Sequence, residues 1–178
     1  TRPVVELQGK TLGIIGFGAI GRAVGQVAEA FGMKVIVSSP ELAPEEQVPL
    51  DELLRTSDII TVHCPLLPET RNIIDTRAFS LMKPTALLIN AARGGIVDEE
   101  ALVEALRSGK IAGAGIDTLT VEPPPMSHPL LQAVREMDNL IVTPHVAWSA
   151  LEARQRLLDE VAENIDSFEH GVTRNKVN

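Results

Sequence analysis

Short, almost continuously apolar runs alternate along this chain with longer segments in which apolar residues recur at helical spacing. Such uninterrupted runs are typical of strands that are covered on both faces, as in a parallel sheet. The six runs are residues 11–15, 34–38, 59–63, 86–90, 112–117 and 140–143. Because strands that alternate with helices require right-handed crossovers, the pattern predicts an α/β fold with a doubly wound parallel sheet in three layers, α/β/α.

Three of the intervening helices have recognisable ends. Residues 20–31 carry apolar side chains at i, i+3, i+4 and i+7 from Val24, and Gly32 is expected to end that helix. Asp98 is the expected N-cap of a helix that continues to residue 108. Ser149 is expected to cap a long last helix that continues to about residue 170.

A glycine-rich motif directly follows the first predicted strand and opens the first predicted helix. It reads Gly16-Phe17-Gly18-Ala19-Ile20-Gly21. Gly16 permits a tight turn, Gly18 lets the backbone approach a pyrophosphate, and Gly21 lets the helix pack closely on the strand. The helix N-terminus then offers N–H groups to the phosphates. In this context the motif predicts a Rossmann-type dinucleotide site, although the same glycines would also serve close packing alone.

The end of the second strand bears on the choice of cofactor. An NAD site normally has an acidic residue here for the ribose hydroxyls, whereas this chain has Ser38 and Ser39 followed by Pro40. Ser39 is able to hydrogen-bond either NAD or NADP. No Arg or Lys lies between Ser38 and Gln47, where an NADP phosphate would need one. The sequence favours NAD through this missing cation and leaves NADP open.

Chemically useful residues follow the last three strands. Arg93 comes after the fourth strand, Glu122 after the fifth and His145 after the sixth. Because ligands of a doubly wound sheet lie across the carboxyl ends of its strands, we expect these side chains to converge on the nicotinamide. A guanidinium binds the carboxylate of a 2-keto acid, an imidazole donates a proton to the forming alkoxide, and a carboxylate orients that imidazole.

On these motifs the chain resembles the D-2-hydroxyacid dehydrogenase family from about residue 7 to residue 178. The segments that carry the resemblance are residues 9–18, residues 88–98, Glu122-Pro123 and Thr143-Pro144-His145. The resemblance implies an NAD(P)-dependent oxidoreductase with Arg93, Glu122 and His145 as its catalytic set. Residues 143–148 look most like the glycerate dehydrogenase, or hydroxypyruvate reductase, branch, which favours glycerate, hydroxypyruvate and glyoxylate as substrates.

The same resemblance implies the residues that contact the cofactor. Ala19 and Ile20 would contact the pyrophosphate, and Cys64 and Pro65 the adenine side. Ala91, Arg93, Asp117 and His145 would flank the nicotinamide. The remaining members of the expected set are Phe17, Ser39, Thr70, Ala92 and Trp148. Trp148 has an alternative interpretation as a residue that packs under its loop.

Composition and charge exclude several classes of binding partner. The 178 residues carry a formal net charge of −8 at pH 7, which argues against nucleic acid or an anionic membrane as a partner. No apolar run is long enough to cross a bilayer, and the first residues lack the apolar stretch of a signal peptide. Cys64, the single cysteine, is expected to be a buried apolar residue. These features predict a cytoplasmic protein without a metal site.

The resemblance also sets expectations for domains and assembly. Members of the family have a substrate domain and a cofactor domain and commonly form homodimers through the latter. Residues 1–170 would be the dinucleotide-binding domain, and residues 171–178 a tail that returns toward a substrate domain absent from this chain. By itself the chain would then bind dinucleotide with little or no turnover. Two alternatives are a dinucleotide-sensing interaction module, like the C-terminal-binding-protein corepressors, and a cofactor domain without a catalytic role.

Overall fold

A computed structural model describes residues 4–177 of the chain. The chain divides into two compact units, Thr1–Pro144 and His145–Asn178. The first three residues of the predicted cofactor domain and the last residue of the predicted tail lie outside the described residues. The predicted domain boundary after residue 170 stays a prediction.

The first unit is built on a six-stranded parallel sheet in the order β2-β1-β3-β4-β5-β6. Its strands are β1 (Thr11–Ile15), β2 (Lys34–Ser38), β3 (Ile59–Val62), β4 (Leu87–Asn90), β5 (Gly113–Ile116) and β6 (Leu140–Val142). Its helices are α1 (Ala19–Ala30), α2 (Leu50–Thr56), α3 (Thr76–Leu81), α4 (Glu99–Arg107) and α5 (Pro129–Ala133), with one 3-10 turn at Pro44–Glu46. The predicted doubly wound α/β fold is confirmed.

The apolar runs become strands because both faces of the sheet bury side chains. On one face Ile14 packs with Ala28 of α1. On the other face Ile15 belongs to a larger cluster with Leu53 of α2, Phe79 of α3 and the inward side chains of α4 and α5. Neighbouring residues of a strand point to opposite faces, so β1 serves both clusters. The order of the strands reverses between β1 and β3, which is where a doubly wound sheet opens a crevice.

The predicted helix ends are partly correct. Gly32 follows α1 with φ +74°, and the Asp98 carboxylate accepts a hydrogen bond from the Ala101 N–H at the start of α4. The expected cap at Ser149 is wrong. The last helix begins at Leu151, and the Ser149 hydroxyl donates instead to the Val146 carbonyl at 2.7 Å.

The second unit consists of the helix α6 (Leu151–Glu169) and the segments on either side of it. After the helix the chain turns back, and Arg174 donates hydrogen bonds to Glu160 at 2.7 Å and to Glu163 at 2.6 Å. The Arg174 guanidinium lowers the pKa of the Glu160 carboxyl. Among residues 4–177, no helix combines the length and the apolar character needed to cross a membrane.

Candidate active site

The backbone of residues 16–21, here called the glycine turn, lies directly against the segment that follows β3. Gly16 has φ +88°, and a Cβ at this position would lie 2.5 Å from the Cys64 backbone nitrogen. Only glycine therefore fits at residue 16. At Gly18, by contrast, a Cβ would have no atom of residues 4–177 within 4 Å. The glycine turn is thus tightly packed at Gly16 and open at Gly18.

Ser39 supports the glycine turn from the end of β2. Its side chain is buried, and its hydroxyl accepts a hydrogen bond from the Phe17 N–H at 3.2 Å. The Ser39 N–H donates to the Gln47 side chain at 3.1 Å. The predicted hydrogen bond between Ser39 and the cofactor stays a prediction. The Arg22 guanidinium lies over the Phe17 ring, 4.7 Å from the ring centre.

A cleft of about 560 Å³ opens along the carboxyl edge of the sheet. Its lining includes predicted cofactor residues from three separate segments. They are Ile20, Cys64, Pro65, Ala91, Ala92 and Arg93. His63 and Leu66 also line the cleft and were not predicted. The signal for them was their position beside Cys64 and Pro65 at the end of a strand that borders the reversal of strand order.

Burial disfavours the charged forms of His63 and Cys64. Burial lowers the pKa of the His63 imidazole, and His63 Nε2 lies 3.0 Å from the Thr61 hydroxyl. Burial also raises the pKa of the Cys64 thiol. The expectation that Cys64 is a small buried residue agrees with this environment. Within residues 4–177, no three His, Cys, Asp or Glu side chains are grouped as metal ligands.

Thr70 shapes the segment that follows Pro65. Its hydroxyl donates to the Pro65 carbonyl at 2.6 Å and accepts from the Leu67 N–H at 2.8 Å. One hydroxyl closes this turn by donating one hydrogen bond and accepting another, so Thr70 fixes the backbone that carries Pro65. A direct contact between Thr70 and a cofactor stays a prediction.

Arg93 is placed by the buried end of β4. The Asn90 side chain accepts from the Ala92 N–H and donates to the Arg93 carbonyl, each at 3.0 Å. These bonds fix the start of residues 91–98, here called the Arg93 loop. The exposed guanidinium of Arg93 donates to the Ala92 carbonyl at 2.8 Å. Sequence reasoning missed Asn90, although an Asn at the end of a strand commonly organises the following turn.

Glu122 lies on residues 117–128, here called the Glu122 loop, which follows β5. Its carboxylate accepts a hydrogen bond from the Leu119 N–H at 2.8 Å. The Arg93 loop touches this loop: a Cβ on Gly94 would lie 2.0 Å from the Leu119 carbonyl oxygen. The loops that carry Arg93 and Glu122 are therefore in direct backbone contact.

The ends of β5 and β6 are linked by side chains. Asp117 is buried, and its carboxylate accepts a hydrogen bond from the Thr143 hydroxyl at 2.5 Å. Two residues later the second unit begins with His145, which has φ +54°. Within that unit the Trp148 indole donates to the His145 carbonyl at 2.8 Å. Trp148 thus anchors the backbone of His145, and contacts of either residue with a cofactor stay predictions.

A parallel sheet with a glycine turn at the reversal of its strand order defines a Rossmann-type dinucleotide-binding domain. The model of the D-isomer specific 2-hydroxyacid dehydrogenase NAD-binding domain matches residues 1–147. The chain belongs to this family. The predicted family and the predicted cofactor, NAD, are thereby confirmed.

Relatives and solved structures agree with this assignment. The chain is 46% identical to the glycerate dehydrogenase of Methylorubrum extorquens and 44% identical to the hydroxypyruvate reductase of Blautia hydrogenotrophica. These matches cover 98% and 99% of the chain and 55% of each relative. A D-isomer specific 2-hydroxyacid dehydrogenase of Lactobacillus delbrueckii ssp. bulgaricus, in its NAD-complexed form, matches with a TM-score of 0.90 and 33% identity. That match covers 100% of the chain and 60% of the neighbour. The chain therefore spans about half the length of the relatives it matches.

Proposed function

We propose that this chain is the cofactor-binding part of an NAD-dependent oxidoreductase that interconverts small 2-keto acids and D-2-hydroxy acids. Hydroxypyruvate and glyoxylate are the favoured keto substrates. The observation that carries the proposal is the cleft between the glycine turn and Arg93, in a chain that belongs to this family. The names of the two relatives, glycerate dehydrogenase and hydroxypyruvate reductase, support the substrate class.

The glycine turn fits the pyrophosphate of NAD. Helix α1 begins at Ala19 with Gly18 as its N-cap. Among residues 4–177, no side chain makes a capping hydrogen bond at this end of the helix. Its first turn carries no acidic residue. The first N–H groups and the positive end of the helix dipole are thus free for an anion. The open space at Gly18 is where the backbone would meet the phosphates.

Arg93 would bind the substrate beside the cofactor. When bound, NADH supplies the hydride through its nicotinamide ring. A planar guanidinium forms two parallel hydrogen bonds with a carboxylate, and it stabilises negative charge on a neighbouring carbonyl oxygen. The Arg93 side chain is exposed at the cleft and rests on the Ala92 carbonyl. This placement suits a cation that receives a charged substrate.

His145 would protonate the alkoxide that forms as the hydride arrives. An imidazole is the side chain best suited to proton transfer near neutral pH. His145 adopts a positive φ, an uncommon conformation that often marks a functional position. Glu122 would hold the imidazole in orientation.

The activity requires more than this chain in our proposal. Hydride transfer proceeds in a closed, water-poor cleft, which a second domain normally completes. Residues 1–170 would form the cofactor domain, and residues 171–178 would lead toward a substrate domain. The relatives, about twice as long as this chain, support this arrangement. The 178-residue chain alone would bind NADH and turn over little.

The test combines binding and activity. NADH is titrated against the 178-residue chain, and the full-length enzyme is assayed with hydroxypyruvate, glyoxylate and pyruvate, each with NADH and NADPH. His145→Asn should lower kcat by about 10³-fold with little change in NADH affinity. His170→Asn, an exposed histidine of the same unit, is the matched control. Tight NADH binding without turnover of any keto acid would contradict the enzyme and support a dinucleotide-sensing module.

A homodimer and a cytoplasmic location complete the proposal. The assembly is expected from the family and is checked by light scattering of the purified protein at several concentrations. The compartment is supported by the single cysteine, which is buried and unpaired. Fractionation of the source cells tests it.

A further inference from the structure

A buried carboxylate–imidazole pair lies behind the Glu122 loop. His128 Nε2 is 3.1 Å from Glu99 Oε2, and the two side chains are 5% and 13% exposed. Glu99 is the first residue of α4, and His128 is the last residue of the Glu122 loop, just before α5. Burying two such polar groups is unfavourable unless they bond one another, so the pair needs a structural reason.

The second oxygen of Glu99 supplies that reason. Glu99 Oε1 accepts a hydrogen bond from the Thr120 N–H at 2.8 Å. Thr120 lies near the start of the Glu122 loop, and His128 lies at its end. One carboxylate therefore joins both ends of the segment that carries Glu122.

The His128 imidazole uses one ring nitrogen, Nε2, for its bond to Glu99. Within residues 4–177, His128 Nδ1 is buried without a hydrogen-bond partner, so the described polar bond of the ring is the one to Glu99. The backbone at His128 is also tied, because its N–H donates to the Pro125 carbonyl at 2.9 Å. The ring thus ties the end of the loop to α4 through its bond to Glu99.

The two bonds of Glu99, to His128 and to the Thr120 N–H, are here called the Glu99 bridge. This bridge also bears on the Arg93 loop. Helix α4 starts at the end of the Arg93 loop, with Asp98 as its N-cap. Glu99 thereby joins the Glu122 loop to the element that immediately follows the Arg93 loop. The two loops already touch at Gly94 and Leu119, and Leu119 is the residue whose N–H binds the Glu122 carboxylate.

We propose that Glu99 and His128 are positioning residues that hold Glu122 relative to Arg93. Neither touches the reacting atoms in this inference, which rests on the proposed function. If Glu122 must be placed accurately to orient a proton donor, a shift of about 1 Å in its loop lowers the rate by about 100-fold. Cofactor binding, which depends on the glycine turn, should be unaffected.

The first measurement is hydrogen–deuterium exchange on the 178-residue chain. Glu99→Ala removes both hydrogen bonds, and the peptides covering residues 119–127 should exchange about tenfold faster or more. Glu99→Gln keeps an oxygen for the Thr120 N–H and offers an amide to His128, so it should restore most of the protection. Glu100→Ala is the matched control, because Glu100 is an exposed carboxylate in the same first turn of α4.

The second measurement is the kinetics of the full-length enzyme with glyoxylate and hydroxypyruvate. Glu99→Ala should lower kcat by about 10- to 100-fold while the Kd of NADH stays within about twofold. Glu99→Gln should recover most of kcat, and Glu100→Ala should leave it unchanged. His128→Leu, which keeps the volume of the buried side chain, should lower kcat in the same way if Glu99→Ala fails to fold.

Three outcomes would overturn the inference. Unchanged exchange in Glu99→Ala and His128→Leu would show that the bridge does not hold the loop. Faster exchange with unchanged kcat would show that holding the loop does not serve catalysis. A wild-type enzyme that reduces no keto acid would contradict the proposed function and with it the catalytic part of the inference, while the exchange rates would still report on the bridge.

Discussion

The glycine turn packs its backbone tightly against the segment after β3, whereas the Arg93 loop and the Glu122 loop carry exposed charged side chains. Gly16 leaves no room for any side chain, and the buried Ser39 hydroxyl holds the Phe17 N–H from below. Arg93 and Glu122 are exposed, and each makes a hydrogen bond to a backbone group of its own loop. In the proposed enzyme the cofactor would thus meet a preformed backbone surface, and the substrate would meet exposed side chains.

The largest expected effect tests whether the glycine-turn side is rigid in this sense. Gly16→Ala places a Cβ 2.5 Å from the Cys64 nitrogen at a positive φ, and it should lower the free energy of unfolding by about 3–5 kcal/mol. Arg93→Ala, an exposed change on the other side, should lower it by less than about 0.5 kcal/mol. Urea denaturation of both variants measures this contrast. Equal losses would contradict the comparison.

A smaller effect separates binding from stability on the glycine-turn side itself. Gly18→Ala meets no atom of residues 4–177 within 4 Å, and φ at this residue is −71°, so the fold should tolerate it. The added methyl group would lie where the pyrophosphate approaches, so the Kd of NADH should rise about tenfold, or about 1.4 kcal/mol. Calorimetric titration gives the Kd, and denaturation checks the fold. Unchanged affinity would mean that the pyrophosphate does not lie over Gly18.

The smallest expected effect concerns pH. Burial lowers the pKa of the His63 imidazole in the folded chain. Below about pH 6.5, His63 is therefore protonated in the unfolded chain at pH values where it is still neutral in the folded chain. Stability therefore falls as the pH drops toward the lowered pKa and levels off below it. His63→Gln should remove this part of the pH dependence, changing the Tm difference between about pH 7.5 and 5.5 by about 1–2 °C. Identical Tm differences in the two proteins would rule out this role of His63.

The sheet was predictable from sequence because its strands are buried on both faces and read as apolar runs. Even β5, with two glycines in its four residues, lies where its run predicted. The bounds of helices α2 and α3 were not predicted, because seven and six residues are too short to show a helical period. The last helix was predicted but not its start, because Ser149 closes a turn instead of capping.

The glycine turn was predictable because its signal is local, six consecutive residues in one motif. The supports of the Arg93 and Glu122 loops were not, because they join residues far apart in sequence. Glu99 and His128 are separated by most of α4, β5 and the Glu122 loop, and neither has an unusual sequence environment. The catalytic roles of Arg93, Glu122 and His145 stay predictions that the proposed variants test.

The contact between Gly94 and the Leu119 carbonyl constrains how this protein can be redesigned. The Arg93 loop and the Glu122 loop meet backbone to backbone, so they must be transplanted together. A chimera that exchanges only residues 117–128 would keep whatever residue the recipient protein has at position 94. Any recipient without glycine there would push the grafted segment outward. Directed evolution of substrate range should therefore leave residue 94 fixed and vary the exposed residues on both sides of it.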